Sequence, residues 1–139
     1  MAWKITTQPA SEIFTLQEVK DYLKVDDSTE DTLITTLLQS ARQAAERYLN
    51  QALITQTITE KLDRLQLSTI YLSVSPVISV SSFQYADSQN TTQTFNSANY
   101  IVDTFEKPAR LSLAYGKTWP TLYGNINDVT ITYTAGYGS

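Results

Sequence analysis

Hydrophobic positions along the chain change their spacing near residue 53. Before this point, apolar residues recur every three or four positions, which is typical of amphipathic helices. After it, Thr, Ser, Val, Ile and Tyr dominate, and alternating patterns with frequent turn signals favour β-strands. The sequence therefore predicts an α+β fold, in which an N-terminal segment of two or more helices packs with a mostly antiparallel sheet formed by the C-terminal half.

The first predicted helix begins after Thr15, because Glu18 stands three residues later and completes a capping box. Its apolar face carries three residues at helical spacing: Leu16, Val19 and Leu23. Lys20 and Lys24 lie together on another face, where we expect them to be solvated. The helix is expected to end near Val25.

The second predicted helix is longer and more strongly amphipathic. Asp27 or Ser28 is expected to cap it, and Glu30 and Asp31 place negative charge in its first turn, opposite the positive end of the helix dipole. Its broad apolar stripe consists of Leu33, Ile34, Leu37, Leu38, Ala41, Ala44, Ala45, Tyr48 and Leu49. The small alanines predict that another element packs closely against the second half, and Asn50 is a plausible end signal.

The remaining sequence predicts seven strands, at residues 54–62, 69–74, 77–85, 91–95, 100–103, 109–113 and 128–134. Residues 87–90 form a turn between two of these strands, and residues 115–127 form an ordered loop. We expect one domain spanning residues 1–139. It would comprise an N-terminal arm (1–14), a helical part (15–53), a β part (54–135) and a tail (136–139).

Composition excludes several kinds of chemistry. The 139 residues include no cysteine and no histidine, so disulfides, thiolate sites and the commonest general base are excluded. The formal net charge of -4, with scattered basic residues, argues against tight sequence reading of duplex DNA. The N-terminal sequence lacks a signal-peptide pattern, and no apolar run approaches membrane-spanning length.

Acidic residues provide the remaining candidates for metal binding or catalysis. The cluster of Asp26, Asp27, Glu30 and Asp31 lacks the alternating ligands and the glycine of a calcium loop, so we interpret it as helix capping. No spacing singles out a catalytic pair among the acids of the β half: Asp63, Asp87, Asp103, Glu106 and Asp128. We therefore predict no catalytic residue, no cofactor and no metal site.

Aromatic residues crowd into the last third of the chain: Tyr100, Tyr115, Trp119, Tyr123, Tyr133 and Tyr137. Such rings suit a core, a sugar-binding face or a protein interface. Core packing is expected to take Tyr133 and Tyr100, whereas Trp119 and Pro120 stand in a glycine-bearing loop that suits an interface. The predicted interface residues are Trp119, Pro120, Tyr115, Tyr123, Arg110, Arg42 and Arg47.

Short motifs also follow one another in a recognisable order. They are TLQEVKDYLKVD at residues 15–26, LITQT at 53–57, PVISV at 76–80, YIVD at 100–103, PARL at 108–111, WP at 119–120 and NDVTITYTAGYG at 127–138. This succession covers nearly the whole chain. It resembles the tailed-phage head–tail connector family, whose members are also described as adaptor or head-completion proteins and are sometimes linked with DNA packaging.

The resemblance implies a non-enzymatic virion subunit of a phage or prophage, made in the bacterial host cytoplasm. Such subunits form a ring, usually dodecameric, beneath the portal protein, and the ring extends the DNA channel and meets a stopper or tail-completion protein. Double-stranded DNA passes without sequence-specific binding, and no membrane is involved. Relatives commonly continue past the final AGYG into further helices, so either this chain is a short member or that part was removed.

Two other functions remain open from the residues. A carbohydrate-binding or adhesion module of a phage or bacterial surface protein would need an exposed, flat strip of aromatic side chains. A carboxylate-dependent hydrolase would need a cleft with two acids at catalytic separation.

Overall fold

The computed structural model describes residues 2–65 and 68–138. In these residues it contains the helices α1 (Leu16–Leu23) and α2 (Asp31–Leu49) and a short 3₁₀ helix (Ser97–Asn99). Its eight strands are β1 (Ala2–Thr7), β2 (Gln56–Leu62), β3 (Thr69–Tyr71), β4 (Val77–Ala86), β5 (Thr92–Thr94), β6 (Tyr100–Asp103), β7 (Arg110–Leu113) and β8 (Val129–Ala135). Every pair of these strands is antiparallel, so the predicted α+β architecture is confirmed.

The strands form two sheets, one of five strands in the order β1-β2-β8-β4-β5 and one of three in the order β3-β7-β6. Along β2 and β8, buried and half-buried residues alternate, so one face of the large sheet is turned to the core. Ile58 and Ile131 of the large sheet join Ile70 and Leu111 of the small sheet in one hydrophobic cluster. The core therefore lies between the two sheets.

The predicted N-terminal arm is wrong for residues 2–7, which form the edge strand β1. Trp3 lies opposite Glu60 and Ile5 opposite Ile58 of β2, and the register then shifts between Ile5 and Thr7. Only two apolar positions alternate in this segment, which is too short a pattern to be recognised without the partner strand. The seven predicted strands are present, with ends that differ by a few residues.

Helix α1 begins as predicted, with the full capping box between Thr15 and Glu18. It ends at Leu23, and Lys24 adopts a left-handed conformation. The expectation that Lys20 is solvated is wrong. Its side chain is buried, and its Nζ lies 2.8 Å from Oδ1 of Asp31. This ion pair ties α1 to the first turn of α2.

The predicted cap of α2 is also wrong. Glu30 occupies the N-cap position and makes no side-chain capping hydrogen bond. Asp27 instead accepts a hydrogen bond from the backbone N–H of Thr29 and so organises the turn that precedes the helix. The predicted end is confirmed, because α2 stops at Leu49 and Asn50 is left-handed.

The described residues of the predicted C-terminal tail, 136–138, are bound to the domain. The N–H of Gly136 donates to the carbonyl of Pro76, and the N–H of Thr55 donates to that of Gly138. Gly136 has φ +139, and a Cβ atom there would lie 2.5 Å from the backbone of Ile54. Glycine is therefore required at this crossing of two chain segments. Neither described α-helix is both long and apolar enough to cross a membrane.

Candidate protein interface

Helix α2 buries only part of its apolar surface. Ile34, Arg42 and Glu46 are its buried residues, and they lie on one side of the helix. The predicted stripe was therefore wider than the face that the protomer covers. Most of the remaining stripe is exposed at the surface.

Five exposed residues of the predicted stripe, here called the α2 stripe, lie on one face: Leu33, Leu37, Ala41, Ala44 and Tyr48. Their spacing of four, four, three and four residues keeps them on one side of the helix. Leu37 is 58% exposed and Tyr48 is 89% exposed. The alanines predicted to adjoin another element are thus open within the protomer. A row of large apolar side chains with small residues between them favours close packing by a partner protein.

A second apolar surface lies beside α1. Phe14, Val19 and Tyr22, with Glu18, line an open groove of about 460 Å³. Tyr22 is 87% exposed, and Phe14 is more than half exposed. These two exposed apolar surfaces therefore lie on α1, on α2 and on the residues just before α1.

A buried polar network fixes how α2 sits on the domain. Arg42 Nε lies 2.6 Å from Oε2 of Glu12, and Arg42 Nη1 lies 2.7 Å from Oε2 of Glu46. The other oxygen of Glu46 accepts hydrogen bonds from the backbone N–H of Leu53 and the side chain of Gln56. Burial alone would lower the pKa of Arg42, but the hydrogen bonds and charges of the two glutamates outweigh it and raise that pKa. Arg42, which the sequence placed among the interface residues, thus faces inward.

Trp119 also packs inward. Its ring centroid lies 5.9 Å from that of Phe83 and 5.7 Å from that of Phe95, and Tyr100 completes the cluster. Trp119 and Pro120 are both half-buried. This cluster anchors the 115–127 loop on the core. These four aromatic rings therefore pack on each other and do not form the exposed flat strip that a sugar-binding face would need.

The other predicted interface residues lie apart from one another. Tyr115 is fully exposed, Tyr123 is about half exposed, and Arg47 is exposed near the end of α2. Arg110 Nε lies 2.8 Å from Oδ2 of Asp103 on the small sheet. The hydrogen bond from the Phe105 N–H, followed by that from Arg110, lowers the pKa of Asp103, and Asp103 in turn raises the pKa of Arg110. The structure does not bring the seven predicted residues into one site.

The acidic residues of the α1–α2 connection take structural roles. Asp31 pairs with Lys20, and Asp27 holds the preceding turn. In residues 2–65 and 68–138, no group of three or more acids comes together in a way that could hold a metal ion.

Sequence reasoning placed Leu33, Leu37 and Tyr48 in the apolar stripe of the second helix and predicted that this helix lies near a subunit contact, but it did not name these three residues as interface residues. The signal was present in the width of that stripe. An apolar face that continues around a helix beyond what one sheet can cover indicates a second partner.

Comparisons with known proteins found one matching family and several similar solved structures. The model of the phage gp6-like head-tail connector protein family matches residues 13–112. The neck of an empty gene transfer agent particle, computed with C6 symmetry, contains a chain with a TM-score of 0.81 and 21% identity, covering 99% of this chain and 72% of that chain. The neck of the native particle, computed with C12 symmetry, gives a TM-score of 0.77 at 21% identity, covering 99% and 71%.

A similar chain in the virion of the native gene transfer agent particle gives a TM-score of 0.75 at 21% identity, covering 99% of this chain and 73% of that one. No curated protein sequence matches significantly.

Proposed function

This chain belongs to the phage gp6-like head–tail connector family and is a structural connector subunit, and we propose that its copies form a ring beneath a portal protein. In this ring, the subunits would extend the channel through which DNA leaves the head. The other end of the ring would meet a stopper or tail-completion protein. The site of action would be the head–tail junction of a virion of a phage or prophage, after synthesis in the bacterial host cytoplasm.

The α2 stripe is the observation that carries the ring proposal. A closed ring requires heterologous contacts, in which one patch of a subunit meets a different patch of its neighbour. An exposed row of Leu33, Leu37 and Tyr48 on a helix held by buried ion pairs supplies such a patch. Burying one leucine side chain contributes about 1.5–3 kcal/mol, so the stripe supplies useful association energy in every subunit.

The symmetry of the particle necks that contain the similar chains supports a proposed number of twelve copies. Their necks were computed with C6 and C12 symmetry, and twelve copies of this subunit are compatible with both. We propose a dodecamer in the virion. The portal and the stopper or tail-completion protein are the expected partners above and below it.

We propose no catalytic step for this subunit. The hydrolase alternative needs two acids facing each other in a cleft, whereas Asp103 and Asp128 are occupied by their own hydrogen bonds at separate turns. No observation favours the carbohydrate-binding alternative, since Phe83, Phe95 and Trp119 pack together.

The test is particle mass in solution, measured for the chain alone and mixed with the portal protein of the same genome. We expect a ring, or a portal-dependent complex of fixed stoichiometry. Leu37→Glu places a charge in the middle of the α2 stripe and should abolish the assembly while leaving the circular dichroism spectrum unchanged.

Thr36→Glu is the matched control, because Thr36 is exposed on the polar side of the same helix. It should assemble as the wild type does. Equal assembly by both variants would exclude the α2 stripe as the contact. A folded chain that stays monomeric and ignores its portal would refute the ring proposal itself.

A further inference from the structure

The outer face of the five-stranded sheet is made of hydroxyl groups. The inward residues of β2 and β8 are buried, and the residues between them point away from the core. Across the sheet, Thr57 lies opposite Thr134, which lies opposite Ser79. Thr59 lies opposite Thr132, which lies opposite Ser82.

Two lysines stand on this same face. Lys4 of β1 lies opposite Thr59, and Lys61 of β2 lies opposite Thr130. Lys61 Nζ donates to the Thr130 hydroxyl at 2.8 Å. Arg47 of α2 lies beside this face at its β1 edge, because it lines the groove between β1 and α2 together with Lys4.

These three cations have no acidic partner. Among residues 2–65 and 68–138, ion pairs involve only the basic residues Lys20, Arg42 and Arg110. The acid nearest to the groove, Glu46, is already taken up by Arg42 and by hydrogen bonds from Leu53 and Gln56. Lys4, Arg47 and Lys61 therefore present free positive charge.

In the part of the chain that the structure describes, no exposed carboxylate stands on the strands of this face, although the chain is acidic overall. Within the five strands the one acid is Glu60, which is fully buried and bonded to Tyr133 and Ser73. Asp63 follows β2 at one end of the face, where it accepts a hydrogen bond from the Asn127 N–H. Among the described residues, a protein with formal net charge -4 thus keeps the strands of this face free of exposed negative groups, and Asp63 lies beyond the end of β2.

We propose that this hydroxyl and lysine face is the surface that meets the phosphate backbone of duplex DNA inside the ring. Lysine, arginine and Ser or Thr hydroxyls are the groups that contact phosphates without reading sequence. Lysine and serine are depleted in protein interfaces, and this face carries no row of large apolar side chains like that of the α2 stripe, so it fits a protein contact less well than the α2 stripe does. Because each subunit carries only a few cations, its affinity for DNA phosphates is weak and salt-sensitive, which lets DNA slide. This inference rests on the ring function, because it concerns which surface faces the channel.

The experiment measures fluorescence anisotropy of a labelled 30-base-pair duplex, titrated with the full chain at about 50 mM and about 200 mM salt. The test variant is the triple Lys4→Gln, Arg47→Gln, Lys61→Gln. The control is the triple Lys24→Gln, Lys107→Gln, Lys117→Gln, which changes net charge by the same amount at exposed positions elsewhere. Circular dichroism and particle mass are recorded for each variant.

We expect the wild type and the control to bind the duplex at low salt, with similar affinity for unrelated sequences. The test variant should lose affinity by about tenfold or more and show a flatter salt dependence, since fewer counterions are released. Equal loss in both triple variants, or no binding by the wild type at low salt, would overturn the proposal. Particle mass separates this outcome from failure of the ring, because DNA binding and assembly are scored independently.

Discussion

The hydroxyl of Tyr133 donates to Oε2 of Glu60 at 2.9 Å, in the middle of the core between the sheets. The same hydroxyl accepts from the N–H of Val74, and the Glu60 carboxylate accepts from the side chain and N–H of Ser73. The segment after β3 is therefore held by side chains of the large sheet where its own strand pairing has ended. The network joins the two layers of the domain.

Removing this hydroxyl should destabilise the fold. Tyr133→Phe leaves the Val74 N–H without its acceptor and removes one donor from a buried carboxylate, which costs about 1–3 kcal/mol. Chemical denaturation measures the change in the free energy of unfolding. Tyr137→Phe is the control, because the Tyr137 hydroxyl bonds Gln51 and Lys107 at the surface and should cost less than about 0.5 kcal/mol. Equal effects would show that the buried network contributes little.

Alkaline pH should weaken the fold through the same residue. Burial, followed by the charge of Glu60, raises the pKa of Tyr133 far above its usual range. Below the ordinary tyrosine pKa of about 10, both states keep the proton and the contribution is fully present.

At higher pH, the unfolded chain loses this proton while the folded chain keeps it, so stability falls by up to about 1.4 kcal/mol per pH unit. Denaturation curves at pH values on either side of about 10 measure this slope. Tyr133→Phe should show a shallower decline than the wild type. Parallel declines in the two proteins would contradict the assignment.

The buried polar network around Arg42 should contribute to the stability of the fold. Arg42→Ala leaves Glu46 and Glu12 without their shared cation, and an uncompensated buried charge costs about 3–5 kcal/mol. Arg47→Ala, one turn further along the same helix at an exposed position, should change stability by less than about 0.5 kcal/mol. Thermal unfolding of both variants distinguishes them, and a mild effect of Arg42→Ala would mean that α2 is held by its apolar contacts alone.

Gly136 should tolerate no side chain. Gly136→Ala drives a Cβ into the backbone of Ile54 and Thr55, and we expect a loss of about 2 kcal/mol or more. Gly124 provides a control with a similar positive φ and open space around it. Gly124→Ala should therefore report backbone strain alone, at about 1 kcal/mol. Equal midpoints of chemical denaturation for the two variants would remove the clash as the cause.

Substitutions at Trp119 and Tyr115, in the 115–127 loop, should have different effects on stability. Trp119→Glu disrupts the cluster with Phe83 and Phe95, and we expect a loss of stability near the low end of the range for a buried tryptophan, about 3 kcal/mol, because Trp119 is half-buried. Tyr115→Glu, at a fully exposed position, should leave the fold intact within about 0.5 kcal/mol. Tyr115→Glu can therefore test the predicted interface role of this loop by particle mass, whereas Trp119→Glu cannot. A stable Trp119→Glu variant would contradict the anchoring role.

Features with local causes were predictable from the sequence. The capping box of Thr15 and Glu18 and the turn held by Asp87 depend on residues within four positions, and both are present. The ion pair of Lys20 with Asp31 depends instead on how two helices meet. A sequence pattern cannot show that contact, which is why Lys20 was expected in solvent.

The candidate site was harder to predict for a related reason. Amphipathic spacing places Leu37 and Ile34 in the same apolar stripe, but only the fold shows that Ile34 is covered and Leu37 is open. Arg42 and Trp119 are residue types that occur both at interfaces and in interiors, and their direction depends on partners far along the chain. Tyr115 and Arg47 lie on the surface as expected.

The two edge strands of the large sheet limit how subunits can aggregate. One edge is β5, a strand of three exposed residues, and the other is β1, whose pairing with β2 shifts register between Ile5 and Thr7. Short or irregular outer strands are poor templates for adding another chain by backbone hydrogen bonds. In the proposed ring, neighbouring copies should therefore meet through side chains, with little tendency to grow into continuous β-fibrils.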